Sequence, residues 1–295
     1  MFNRLILGSL LVYLATSFPV DAKKKVTVDA TPFAGYRQDN IKWKTQAGCD
    51  PNGNTQSVGT LQWKKLQGMD YGINTETTLY DRYKIILDIG FANFFSGKMT
   101  DSNYLAAFGS GNPAHNSING TGFTFSPNIA FGFNMKPCKS IDLIPQIGFI
   151  YDHLRLNGKT TTGNALNSLS NTLQFSSPYI GIDSKTRFNK RWSMTASAAF
   201  NLAYYQGNGN WKFQGNRTSN TMTQGGNGIG LKGQIGAKYI VVPSVSIGGE
   251  ANISWTRITN GNDTRHFADG TRIKTKLNNL DWTSFAGNLT LTKTF

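Results

Sequence analysis

The sequence predicts an all-β protein: a transmembrane, antiparallel, up-and-down β-barrel of about ten strands behind an N-terminal signal peptide. Three observations point there. Of its 295 residues 16% are charged and 12% aromatic, and that charged fraction lies well below the roughly 25% of soluble globular proteins. Glycine and asparagine, 32 and 29 residues, make up about a fifth of the chain, a composition of turns and strands rather than helices. Apolar and polar residues alternate with a period of two over stretches of a dozen or more residues, longer than the strands of a soluble sandwich. This excludes a soluble α-rich enzyme, a disordered chain and a helical membrane protein. Two cysteines are too few for a disulfide scaffold and have no metal-site spacing.

At the N-terminus Arg4 precedes an apolar run from Leu5 to Phe18, and Val20 and Ala22 occupy the −3 and −1 positions of a cleavage site. This is the layout of a secretory signal peptide over residues 1–22, leaving 23–295 as the barrel. No later apolar run approaches that length, so no spanning helix is expected. The net charge is +14, and removal of Arg4 and Asp21 leaves it unchanged. Export argues against nucleic acid as the partner. Anionic lipid or lipopolysaccharide headgroups fit a basic envelope protein.

The strands follow in order. Ile85, Leu87, Ile89 and Phe91 alternate with Asp88, Gly90 and Ala92; Phe123, Phe125, Ile129, Phe131, Phe133 and Met135 alternate with small polar residues. Trp192 to Tyr204 and Val245 to Trp255 repeat the pattern. One face suits lipid and the other a polar lumen, and closure gives every strand amide a partner. Short turns are expected at Tyr80-Asp81-Arg82, Lys136-Pro137-Cys138-Lys139, Asn189-Lys190-Arg191 and Pro243. Longer loops are expected at about 46–57, 99–119, 157–172, 206–225 and 259–280. Four turns and five loops make ten strands, with short turns on the periplasmic side. Cys49 then lies in an outer loop and Cys138 in an inner turn, too far apart to bond within one molecule. Phe295 closes an alternating last strand, which resembles the terminal recognition signal of bacterial outer-membrane barrels; Lys293 stands where that signal carries a second aromatic.

The architecture resembles the omptins, ten-stranded outer-membrane aspartate/histidine proteases. Ser176–Ile182 looks like the family's Pro-Tyr-Ile-Gly strand, and Trp255-Thr256-Arg257-Ile258-Thr259-Asn260 is similar to its Trp-Asn-Arg-Val-Thr-Asn. Gly97–Tyr104 resembles the opening of its second outer loop. The resemblance implies two catalytic pairs on opposite walls of the mouth, Asp with Asp and Asp with His, activating a water by general-base logic. The first pair falls on Asp101 and Asn103, of which only Asp101 keeps its carboxylate. The second should lie at Gln206–Lys212, yet no Asp, Glu or His occurs from Ser184 to Gly249. No omptin-type peptidase activity is therefore expected, nor any cofactor or metal site. The basic, omptin-sized barrel is also similar to the porin-like outer-membrane proteins of environmental chlamydiae.

The remaining candidates are few. His115 and His266 fall in outer loops, the latter flanked by Asp263 and Asp269, and His153 follows Asp152 near an outer strand end; solvated or interfacial roles suit all three. Gly228-Ile-Gly230-Leu-Lys-Gly233 fits a dinucleotide fingerprint by letter but lies in an alternating strand rather than between strand and helix. Asp88, Lys232, Lys238 and Glu250 are expected to face the lumen. A wet lumen rich in lysine makes a narrow channel for small, preferably anionic, solutes the first expectation. Arg217, Arg265, Arg272, Lys274 and Lys276 are expected in outer loops as anion contacts, which makes a surface-binding protein on an inactive protease scaffold the second. An endopeptidase with a rearranged site is the third.

Overall fold

The computed structural model describes residues 26–46, 59–102, 117–138, 140–159, 166–213, 220–266 and 270–295. No described residue is helical. The signal peptide and Cys49, Asn103, His115, Arg217 and Asp269 lie outside the described residues. The strands are β1 (Val26–Gln46), β2 (Gly59–Leu79), β3 (Tyr83–Ser102), β4 (Ser117–Phe133), a short β5 (Met135–Cys138), β6 (Ile141–Lys159), β7 (Leu166–Arg187), β8 (Trp192–Phe213), β9 (Asn220–Val242), β10 (Val245–His266) and β11 (Arg272–Thr294). Neighbours in sequence pair antiparallel except β4 and β5; β1 pairs with β11, and β4 pairs with β6. Ten long strands thus close a ring, with β5 a spur on the edge of β6.

Below a girdle that includes Tyr36, Met69, Tyr71, Phe95 and Tyr204, the outward side chains are apolar and exposed: Ile89, Phe131, Ile180, Leu231, Ile253 and Leu289 among them. This is the lipid-facing band. At its upper edge Tyr71 of the girdle stacks on Phe91 at 5.7 Å, and Phe91 stacks on Phe125 at 5.3 Å between ring centroids.

Above the girdle the polarity inverts. On β1 the outward residues become Asn40, Lys42 and Lys44, while Ile41 and Trp43 turn inward and are sealed from solvent. The same exchange occurs on β2 around Leu61, Trp63 and Leu66, on β6 at Leu154 and Leu156, and on β11 at Leu277 and Leu280. Register shifts cluster at this level, between Asp39 and Ile41, Lys64 and Gln67, Phe94 and Lys98, and Ile258 and Asn260. Lys65 takes a positive φ of 49° there and its N–H is held by Asn40 Oδ1 at 2.9 Å. Such bulges increase twist and bend the strands, at the level where the apolar residues come to face one another.

Two expectations are corrected. The segments expected as loops at 206–225 and 259–280 are largely strand, since β8 runs to Phe213, β9 starts at Asn220, β10 runs to His266 and β11 starts at Arg272. Strands of 17 to 23 residues exceed the 9 to 11 that cross a bilayer, so the barrel continues into water as a collar. The turn expected at Lys136–Lys139 is part strand, because Met135 and Cys138 pair with Leu143 and Ile141. The turns at Tyr80–Arg82, Asn189–Arg191 and Pro243 stand where expected.

Candidate functional site: a charged chamber beneath an apolar plug

Inside the collar 21 buried residues form one apolar cluster, including Trp43, Trp63, Trp211, Phe175, Tyr205 and Trp282. Trp63 lies so close over Gly120 that a Cβ there would stand 2.4 Å from the indole, which leaves room only for glycine. Phe175 packs between Tyr205 and Trp282, both at 5.1 Å between centroids. Two hydrogen bonds in series link three side chains inside the plug: Trp43 donates to the Tyr205 hydroxyl at 3.3 Å, which donates to Gln224 Oε1 at 2.7 Å. The plug fills the outer lumen.

Below it lies a cavity of about 360 Å³ within the lipid-facing band. Its ceiling is Arg37. The guanidinium makes two bonds to Asp39, 2.9 and 3.0 Å, approaches Asp70 at 3.8 Å, and lies 5.8 Å from the Trp282 ring and 5.9 Å from that of Phe94. Lys232 reaches Asp152 at 3.6 Å on the facing wall. Halfway down, Glu250 accepts from Gln234 at 2.6 Å, Asn252 at 3.2 Å and Asn288 at 3.4 Å. Asp88, Ser126 and Asn128 share that level, each with a side-chain oxygen lacking a hydrogen-bond partner. Nearest the inner rim Lys84 pairs with Glu76, Asp183 accepts from Gln146 at 2.9 Å, and Lys238 donates to Thr292 at 3.2 Å.

The four residues expected in the lumen, Asp88, Lys232, Lys238 and Glu250, all line this cavity. The expected excess of lysine does not: seven carboxylates and five cations line it. The positive charge instead sits on the outside of the collar, at Lys42, Lys44, Lys64, Lys65 and Lys98 among others, because that wall faces water.

The expected outer-loop cations divide. Lys274 and Lys276 project from β11 and flank a trough of about 730 Å³ floored by Gly225 and edged by Asn227, Asn260 and Asn262. Arg272 is exposed at the start of β11. Arg265 is corrected: it points into the collar, is 2% exposed, and pairs with Asp263 at 3.4 Å and with Thr45 at 3.2 Å. Its position on β10 has the inward phase, which an assignment to a loop conceals.

For the omptin positions, Asp101 lies on β3 opposite Leu61. The window Gln206–Lys212, expected in a loop, is strand β8, and its inward positions are Gly207, Gly209 and the fully buried Trp211. His153 is a half-buried outward residue beside the inward Asp152, and His266 ends β10. The plug residues Trp43, Trp63 and Trp211 were not singled out as functional from sequence. Their signal was present in the Ile41-x-Trp43 and Leu61-x-Trp63 alternation, in the opposite phase to the lysines between and beside them.

A closed ring of ten antiparallel strands, apolar outside and charged within, defines an integral outer-membrane β-barrel protein. The family model for the Protochlamydia outer membrane protein matches residues 33–295, and the chain belongs to that family. Among solved structures it is similar to the outer membrane protease OmpT from Escherichia coli, with a TM-score of 0.73 and 14% identity over 91% of this chain and 97% of that one. That likeness is one of fold. The outer membrane protein OprG from Pseudomonas aeruginosa matches more distantly, with a TM-score of 0.40 and 9% identity over 90% of this chain and 95% of that one. No curated protein sequence matches.

Proposed function

We propose that the protein is a narrow outer-membrane channel for small polar solutes, closed at its outer end by the apolar plug in the conformation described. The observation that carries this is the charged cavity of about 360 Å³ inside the lipid-facing band. Intramembrane ionisable groups are rare and mark solute or ion pathways. Apolar constrictions gate by excluding water, and the plug has that character. Preference for anions, on this reading, arises at the outer mouth, where the lysines of the collar raise the local anion concentration, and not in the chamber. The chain is read as no peptidase, because the wall that should carry an Asp/His pair carries glycines and a buried tryptophan.

The test is planar-bilayer conductance of the refolded mature chain, with reversal potentials in a salt gradient. Discrete steps are expected, growing when the plug is thinned. A silent bilayer with both the native chain and a plug-thinned variant, each correctly folded, overturns the channel. Peptide cleavage that disappears in Asp101→Asn overturns the second statement.

A surface-binding role is favoured by one separate observation, the trough between Lys274 and Lys276. It lies just above the lipid band, where the phosphates of lipopolysaccharide present anions of the kind lysines hold as point charges.

A further inference from the structure

We propose that the β7–β8 turn at the inner rim binds an anionic phospholipid of the surrounding leaflet, its phosphodiester held by Lys190 and Arg191 and an acyl chain lying along the outward face of β8 and β9. The proposal goes beyond the solute-channel reading and does not need it, since lipid is retained whether or not the barrel conducts.

The turn is tied down by its own hydrogen bonds. Phe188 N–H donates to the Trp192 carbonyl at 3.1 Å, and Asn189 Oδ1 accepts from the N–H groups of Arg191 and Trp192 at 2.8 and 2.9 Å. The Arg191 carbonyl accepts from Ile240 N–H at 2.8 Å, which joins the turn to β9. Arg191 Nη1 then donates to the Tyr239 hydroxyl at 3.0 Å, and the Tyr239 ring packs on Trp192 at 5.0 Å between centroids. Trp192 and Tyr239 are partners in register, and both have the outward phase. The guanidinium is thereby drawn down the outside of the barrel to a pair of interfacial rings, at the level where lipid headgroups sit. It carries five N–H donors in a fork that matches phosphate, and Tyr239 takes one of them. Lys190 is exposed beside it at the tip of the turn.

No carboxylate answers these two charges. The sequence has no Asp or Glu between Asp183 and Glu250, and both of those line the chamber on the other side of the wall. Among the described residues none approaches Lys190 or Arg191 within 4.0 Å, whereas Arg187 at the base of the same turn is matched by Asp142 at 2.8 Å.

Beyond the ring pair the lipid face is smooth. Between Trp192 and Phe200 the outward residues of β8 are Met194, Ala196 and Ala198, and they face Ala237, Ile235 and Gly233 of β9 in register. A Cβ built on Gly233 meets nothing nearer than 3.4 Å. The lane runs for eight residues of strand, about 27 Å. At a tilt of about 40° that is a depth of about 21 Å, enough for the acyl layer of one leaflet, about 15 Å. Unmatched cations at headgroup level with a shallow apolar lane leading from them fit a lipid whose headgroup is acidic. A zwitterionic headgroup brings an ammonium that the same cations repel.

The test is native mass spectrometry of the refolded mature chain in a non-ionic detergent with phosphatidylglycerol, phosphatidylcholine of the same acyl chains, or lipid A. The native chain should retain phosphatidylglycerol over phosphatidylcholine. Lys190→Gln/Arg191→Gln should weaken phosphatidylglycerol by about fivefold for each charge, the effect of one basic residue at an anionic membrane surface, and leave phosphatidylcholine unchanged. Tyr239→Phe, which keeps the ring and both cations but frees the guanidinium, should fall between. Lys64→Gln/Lys98→Gln removes the same charge from the water-facing wall of the collar, where both lysines are exposed, and should have no effect. Folding of each variant is checked by its heat-dependent shift in gel mobility. Equal retention of the two phospholipids by the native chain, unchanged phosphatidylglycerol in the turn variant, or an equal loss in the collar variant overturns the proposal. Lipid A held more tightly than phosphatidylglycerol, and lost in the turn variant, overturns the choice of occupant.

Discussion

Asp39 accepts the Trp282 indole N–H at 2.9 Å across the seam between the first and last strands, while the same carboxylate accepts from Nε and Nη2 of Arg37. Asp39 is fully buried. The contact therefore joins ring closure to the chamber ceiling. Replacing Asp39 by Ala leaves a buried guanidinium with only the more distant Asp70 and an indole N–H without an acceptor. Removal of one partner from a buried ion pair costs about 3–5 kcal/mol. Asp39→Ala should lower the urea midpoint of unfolding in micelles by that equivalent, and Asp39→Asn, which keeps an acceptor for the indole, should fall between it and the native chain. Midpoints equal to the native value in both variants would refute a structural role for the seam contact.

Trp43 and Trp63 lie on adjacent strands in the outer lumen, both sealed from solvent. The double variant Trp43→Ala/Trp63→Ala removes two indoles from the plug, each at about 3–5 kcal/mol of stability. The barrel below is held by its own strand ladder, so the loss is expected in the collar. Bilayer conductance should rise severalfold over the native chain, with the collar amides gaining hydrogen exchange and the band amides unchanged. Exchange rising equally along β1 and β2 would mean that plug and barrel unfold as one unit.

The membrane-embedded half was legible because lipid imposes one rule there. Every outward residue on a strand such as β3 or β10 must be apolar, so Asp88 and Glu250 could be assigned to the lumen from phase alone. The collar was not legible for a physical reason. Above the girdle the solvent changes from lipid to water, the outward face becomes Asn, Gly, Thr and Lys, and a β8 segment such as Gln206-Gly-Asn-Gly-Asn-Trp reads as loop. Inward phase continued at Trp211 and Leu277, but one apolar residue in every few positions is a weak signal beside so much glycine and asparagine. The same change of phase hid Arg265, whose charge suggested the surface and whose position is the interior.

The β2–β3 turn carries positive φ at both central residues, 55° at Tyr80 and 56° at Asp81, and Arg82 N–H closes it on the Leu79 carbonyl at 3.0 Å. These are the dihedral signs of a type I′ hairpin turn, for which Asn-Gly is preferred. A tyrosine in the left-handed region is strained by roughly 1 kcal/mol. Tyr80→Asn with Asp81→Gly should raise stability by about that amount and leave the paired strands unchanged. A lower unfolding midpoint in the double variant would show that the exposed Tyr80 ring contributes more than its backbone strain removes.

Cys138 is exposed at the inner end of β5, its sulfur 3.5 Å from the Ser140 hydroxyl. Hydrogen bonds from the Ser140 side chain and then its backbone favour the thiolate, so the thiol lies below the usual cysteine range. The thiolate is the reactive form. At any pH below the ordinary cysteine pKa a larger fraction of Cys138 is therefore ionised than of a free thiol, and its alkylation should begin at lower pH. With Ser140→Ala the pH profile of maleimide labelling should move up toward that of free cysteine, because the first of those hydrogen bonds is gone. Labelling in intact cells by a membrane-impermeant maleimide tests the orientation at once. Cys138 should stay protected until the outer membrane is permeabilised, since the short turns face the periplasm. Rapid labelling of Cys138 before permeabilisation would place these turns outside and invert the barrel.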